Sequence, residues 1–146
     1  MKNIVLFASG SGTNVENIIQ YFNSKGIKNN FFIFTNNEKA FVRTRAEKLN
    51  IPCVVFSRDE LKGDSVLGRI NEIKPDLIVL AGFLWMFPVN IIQAYPEKII
   101  NIHPALLPKF GGKGMYGMNV HRAVVENKEK ETGITIHFVD EKYDEG

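Results

Sequence analysis

A doubly wound α/β fold, a mostly parallel sheet with helices on both faces, is what this sequence predicts. Short apolar runs alternate with helical patterns along the chain, the order that parallel strands joined by crossover helices require. The runs are apolar on consecutive residues, as in Leu77–Ala81 (LIVLA), so both faces of those strands are meant to be covered. In such sheets ligands gather beyond the carboxyl ends of the strands. The polar residues just past each run are therefore the ones that bear on function.

Lys2–Ala8 (KNIVLFA) reads as the first strand and stops at Ser9-Gly10. Thr13–Asn23 then carries Val15, Ile18, Ile19 and Phe22 at helical spacing on one face. Strands are expected over Phe31–Thr35, Cys53–Phe56, Leu77–Ala81, Lys98–Ile102 and Gly133–Val139. Helices are expected over Ala40–Leu49, Asp64–Ile73, Pro88–Ala94 (proline in its first turn) and Asn119–Asn127. There is no internal repeat, low-complexity segment or linker, so residues 1–146 are expected to form a single domain.

The charge balance, 18 basic against 16 acidic residues for a net +2, offers no basic stripe or tail for nucleic acid. The one cysteine, Cys53, lies in an apolar run and is expected to be a buried strand residue; a reducing compartment fits a chain that cannot close an internal disulfide. No stretch approaches the roughly 20 apolar residues that a membrane helix needs. The N-terminal run ends at once in Gly and Ser, as a strand would and a signal peptide would not. A soluble cytoplasmic protein is the expectation.

Three places carry chemistry. After the first run comes Ser9-Gly10-Ser11-Gly12-Thr13-Asn14, then a helix. Glycines let backbone approach a ligand, and the unpaired N–H groups of a helix start favour an anion. The same residues also suit a tight turn with Ser11 or Thr13 as helix cap. Val15 stands where a dinucleotide fingerprint wants its third glycine, and no phosphate loop of the G-x-x-x-x-G-K-[ST] type occurs, so a single phosphate is the better fit. The second place is Asn101-Ile102-His103-Pro104. Spacing of i, i+2 on an extended chain puts the amide and the imidazole on one face, where both can serve a carbonyl oxygen that becomes an oxyanion. The third is Gly82–Phe87, an unusually apolar loop that is either a buried connection or the wall of a pocket for a flat ring. His137, inside GITIHFV, reads on its own as a satisfied strand residue, and Asp144 as one acid in a solvated charged run. Neither the three histidines nor Cys53 has metal-ligand spacing, so no metal is expected.

Together SGSGTN, LAGFLWMFP, NIHPALLPKF and GITIHFVDEKYDEG, in that order along the chain, resemble the phosphoribosylglycinamide formyltransferase branch of the folate-dependent formyltransferase superfamily. The resemblance implies a Rossmann-like formyltransferase fold. It also implies transfer of a formyl group from 10-formyltetrahydrofolate to the amine of glycinamide ribonucleotide, in purine (IMP) biosynthesis. By the same resemblance Gly12, Thr13 and Asn14 would bind the substrate phosphate, and Leu84, Trp85, Met86, Phe87 and Asn101 the folate. Asn101, His103 and Asp144 would be the catalytic trio, with His137 in support and no metal. A basic residue ahead of the next helix, Arg58 or Lys62, would reach the folate. Trp85 stands where some members carry a basic residue, and GGKGMYGMN is longer than in many relatives. Members also continue for tens of residues past the Asp-x-Gly segment, so the domain is expected to be incomplete at its C-terminal end, as a monomer or homodimer. The alternatives are a formyltetrahydrofolate deformylase, a tRNA formyltransferase, or a non-catalytic nucleotide- or folate-binding module.

Overall fold

The structure, a computed structural model, describes residues 1–103 and 135–139. The helix expected over Asn119–Asn127, the loop between Phe110 and Val120, and Asp144 lie outside those residues. Strands β1 (Lys2–Phe7), β2 (Asn29–Thr35), β3 (Cys53–Val55), β4 (Leu77–Leu80), β5 (Ile99–His103) and β6 (Thr135–Phe138) make one sheet in the order β3-β2-β1-β4-β5-β6. The first five are parallel. The chain winds outward from β1 to β3, then returns to β4 on the other side of β1. That reversal makes the gap between β1 and β4 the switch point of the sheet, the place where sheets of this kind form their binding crevice.

Helices α1 (Thr13–Ser24), α2 (Val42–Lys48), α3 (Arg58–Lys62), α4 (Ser65–Ile73) and α5 (Val89–Ala94) cover the two faces. Alternation along each strand divides the core. Val5, Phe7, Phe34, Ile78, Leu80 and Ile99 pack with Leu61, Ile70 and Ile91 of α3, α4 and α5. Ile4, Leu6, Ala8, Ile33 and Val79 pack on the opposite face with Val15 and Ile19 of α1 and Val42 and Ala46 of α2. Phe7 is the centre of the first cluster: it stacks on Phe34 at 5.2 Å and meets Phe56, Phe83 and Phe87 edge-on at 5.7, 5.4 and 4.9 Å.

Four details depart from the sequence expectations, each for a local reason. β2 starts earlier, at Asn29, because Asn29 and Asn30 pair with Lys2 and Asn3 of β1, and the Asn30 amide donates to Asn3 Oδ1 at 3.0 Å. Helix α3 was not expected. A capping box makes it, Ser57 Oγ accepting from the Glu60 N–H while the Glu60 carboxylate accepts from the Ser57 N–H. Cys53 is half-buried rather than buried, since β3 is an edge strand, and burial still pushes its thiol pKa up against the opposing charge of Arg43. Finally, β6 runs antiparallel to β5. Its carboxyl end therefore lies at the opposite end of the sheet from the other strand-end loops.

Candidate active site

The turn after β1 is held from three directions. Ser9, almost wholly buried, donates its N–H to Gly82 O (3.1 Å), and its hydroxyl accepts from Leu84 N–H (2.9 Å), which locks this turn to the loop after β4 across the switch point. Val42 N–H donates to Gly10 O at 3.1 Å. Arg45 donates through Nε to Ser11 O and through Nη1 to Glu16, each at 2.6 Å. Gly12 takes φ of +75° as the residue before α1, and a Cβ there would lie 2.4 Å from Val42 Cγ2, so only glycine fits. No side chain caps the helix. Ser11 and Thr13 hydrogen-bond each other instead, 3.1 Å between hydroxyl oxygens, and both are exposed along with Asn14. The capping alternative for these residues is thus set aside. Glu16 would otherwise put negative charge in the first turn, but its pairing with Arg45 offsets that charge. What remains is a start of helix with free donors, hydroxyls and a positive dipole end.

The loop after β4 is half core and half surface. Phe87 is buried against Phe7 and belongs to the core, so its side chain follows the buried-connection alternative for this loop. Leu84 and Met86 are exposed, at 47% and 65%. Trp85 is intermediate and leans edge-on against Phe56 (6.3 Å) and Phe83 (6.4 Å). The Arg58 guanidinium lies over the Trp85 indole, 4.3 Å from its centroid. Among the described residues Arg58 has no carboxylate partner. Of the two basic residues left open by the sequence, Arg58 is the one placed at this wall.

Asn101 stands level with Leu80 of β4 and, through it, Phe7 of β1. Paired residues share a face, so the Asn101 side chain is on the face of the aromatic cluster. His103 closes β5, opposite Thr135. His137 is directly opposite Asn101 on β6, and its Nε2 is 3.2 Å from Asn101 Nδ2. β1, β4 and β5 are adjacent, so at the usual strand spacing the turn after β1 lies about 10 Å from the end of β5. The sheet thus brings together Gly12, Thr13, Asn14, Trp85, Asn101 and His103 along one edge and adds His137. Asp144 lies outside the described residues. Sequence reasoning missed Arg45, and it named Ser9 and Phe83 only as members of their loops, without a role of their own. The signals were thin, because Arg45 and Ser9 act through partners 34 and 75 residues away. Among the described residues no group of His, Cys, Asp and Glu could hold a metal ion.

Fold and site define an α/β domain whose strand-end loops meet at the switch point of its sheet. Known proteins narrow the class: the formyl transferase family model matches residues 2–146, and the chain belongs to that family. It is 38% identical over 152 aligned residues to the chloroplastic phosphoribosylglycinamide formyltransferase of Arabidopsis thaliana, covering 99% of this chain and 52% of that protein. With the Haemophilus influenzae phosphoribosylglycinamide formyltransferase it shares 36% identity, covering 100% of this chain and 69% of the relative. The chain therefore spans about half the length of the plant relative and about two thirds of the bacterial one. The crystal structure of the Anaplasma phagocytophilum phosphoribosylglycinamide formyltransferase superposes with a TM-score of 0.87 at 30% identity, over 99% of this chain and 67% of that one. A formyltetrahydrofolate deformylase from Pseudomonas syringae shares the fold alone, with a TM-score of 0.83 at 22% identity.

Proposed function

We propose that the protein transfers the formyl group of 10-formyltetrahydrofolate to the amine of glycinamide ribonucleotide, in the cytoplasm, as a step of purine biosynthesis. The observation that carries this reading is the juxtaposition of an uncapped, glycine-shaped helix start with Asn101, two strands away on the same edge of the sheet. A phosphate at Gly12, Thr13 and Asn14 leaves about 10 Å for a ribose and a short amide arm to reach the end of β5. Phe83 and Trp85 make a wall for a flat ring, with the backbone of Leu84 and Met86 beside it, and Arg58 offers its guanidinium fork to a carboxylate at the rim.

Asn101 donates an N–H to the formyl oxygen as the amine adds and negative charge builds there. His103 supplies the second donor and, as imidazolium, a proton for the leaving nitrogen. Asp144 favours the charged imidazole by proximity of opposite charge. Asp144 comes five positions after Val139, a span of up to about 17 Å, so chain length permits a return from the far end of β6 to the crevice. Both substrates are small molecules, and no residue of the described site calls for a metal. No helix among the described residues is long and apolar enough to cross a membrane.

Steady-state assays with both substrates, on the protein and on Asn101→Ala, test this reading. Formyl transfer that falls about 10²–10³-fold in kcat in the variant, with little change in either KM, supports it. Release of formate without transfer favours a deformylase. Binding without turnover favours the non-catalytic module. Either of those two results overturns it.

A further inference from the structure

β1 and β4 are parallel neighbours, and hydrogen bonds join their chains past the ends of both strands. Ala81 N–H donates to Phe7 O at 2.8 Å, and Ser9 N–H to Gly82 O at 3.1 Å. Beyond that point the two chains part. One turns through Gly10 and Gly12 into α1, and the other enters the loop after β4. The next donor along that loop, Leu84 N–H, is taken by the Ser9 hydroxyl, 2.9 Å away. A side chain thus stands in for a strand carbonyl at the place where the ladder ends. Ser9 is buried, and a hydrogen bond shielded from water is the stronger for it. On its other side the turn is held to α2, through Val42 N–H on Gly10 O and Arg45 on Ser11 O. The loop also rests on Phe7 through the rings of Phe83 and Phe87.

We propose that Ser9 is a positioning residue, whose hydroxyl sets the separation between the turn after β1 and the backbone at Leu84 and so holds the two substrates in register. This rests on the transferase reading, which puts the nucleotide phosphate at Gly12, Thr13 and Asn14 and the folate beside Leu84 and Met86. That reading assigns the Ser9 hydroxyl to neither substrate, so each loop keeps its own binding groups when the bond is lost. What the bond controls is where the formyl carbon lies relative to the amine. A misplacement of about 1 Å between reacting groups can cost about 100-fold in rate. A serine that served only to end a strand would support the fold and leave this separation alone.

Two measurements test the proposal. Amide hydrogen exchange, read by NMR on the unmodified protein, needs no turnover: Leu84 N–H is expected to be protected, as Ala81 N–H is. Ser9→Ala then removes the acceptor while leaving the backbone N–H that donates to Gly82 O, so it probes the hydroxyl alone. In that variant Leu84 is expected to exchange faster and Ala81 at its former rate. Its kcat is expected to fall about 10- to 100-fold, with the Kd of each substrate titrated singly kept within about threefold. An unprotected Leu84 amide in the unmodified protein or an unchanged kcat in the variant would overturn the proposal. So would a kcat loss accompanied by faster exchange at Ala81, because the strand pair as a whole would then have loosened. Failure of the transferase reading shows differently, as absence of formyl transfer by the unmodified protein, whatever the exchange rates.

Discussion

Gly12 illustrates how much one residue can decide. Its positive φ and the contact that any Cβ would make with Val42 leave no room for a side chain. Gly12→Ala combines a left-handed backbone penalty of about 1–2 kcal/mol with overpacking of about 1–3 kcal/mol, so a loss of at least about 2 kcal/mol is expected in urea denaturation. Because Val42 also donates to Gly10 O, the displaced helix drags the turn, and the KM for the nucleotide should rise in the same variant. Arg45 works at the same scale. Arg45→Met removes the donor to Ser11 O and frees the Glu16 carboxylate beside the helix start, where it repels an anion. A rise of about tenfold in the KM for the nucleotide, with kcat kept, is the expected signature. Asn101 and His103 stood out as candidates because an amide and an imidazole at the end of an apolar run are unusual in a core strand. Arg45 did not, because its role depends on two elements meeting in space.

At the scale of elements, α3 shows a signal present in the sequence and easily passed over. Ser57-Arg58-Asp59-Glu60 is a capping-box spacing, but the helix that follows is only five residues long and lacks a periodic apolar face to announce it. The box matters because it fixes the residue that carries the guanidinium over Trp85. Ser57→Ala is expected to cost about 1 kcal/mol in stability and to loosen Arg58. The Glu60 carboxyl is held below its usual range, chiefly by the Ser57 backbone N–H. A lowered folded-state pKa means that its contribution is present above the ordinary carboxylate range and is lost as pH falls through the lowered value. The stability gap between the protein and Glu60→Ala should therefore shrink on acidification, as followed by denaturation at several pH values. Arg58→Ala should raise the KM for formyl-folate about tenfold and leave that for the nucleotide unchanged, since the proposed sites for the two substrates lie on different strand-end loops.

Across the whole molecule, the parallel order of β1 to β5 follows from runs apolar on both faces separated by helices, and this much was readable from the chain. The direction of β6 was not, because one strand of alternating pattern fits an antiparallel edge as well as a parallel one. Which side chains of the loop after β4 are buried was also hidden: after the glycine, GFLWMF is apolar or aromatic throughout, and only the position of Phe7 beneath the loop sorts buried Phe87 from exposed Met86. Phe7 ties the sheet to both strand-end loops. Phe7→Ala is expected to cost about 3–5 kcal/mol in urea denaturation, with the slope of the transition unchanged. The loop after β4 should loosen with it.

The most direct measurement follows one carbon. With 10-formyltetrahydrofolate labelled in its formyl group and glycinamide ribonucleotide present, the expected result is label on the amine nitrogen of the nucleotide, formed at a rate that collapses in Asn101→Ala. Label recovered as free formate at the same rate with or without the nucleotide would contradict the assignment of this crevice to formyl transfer.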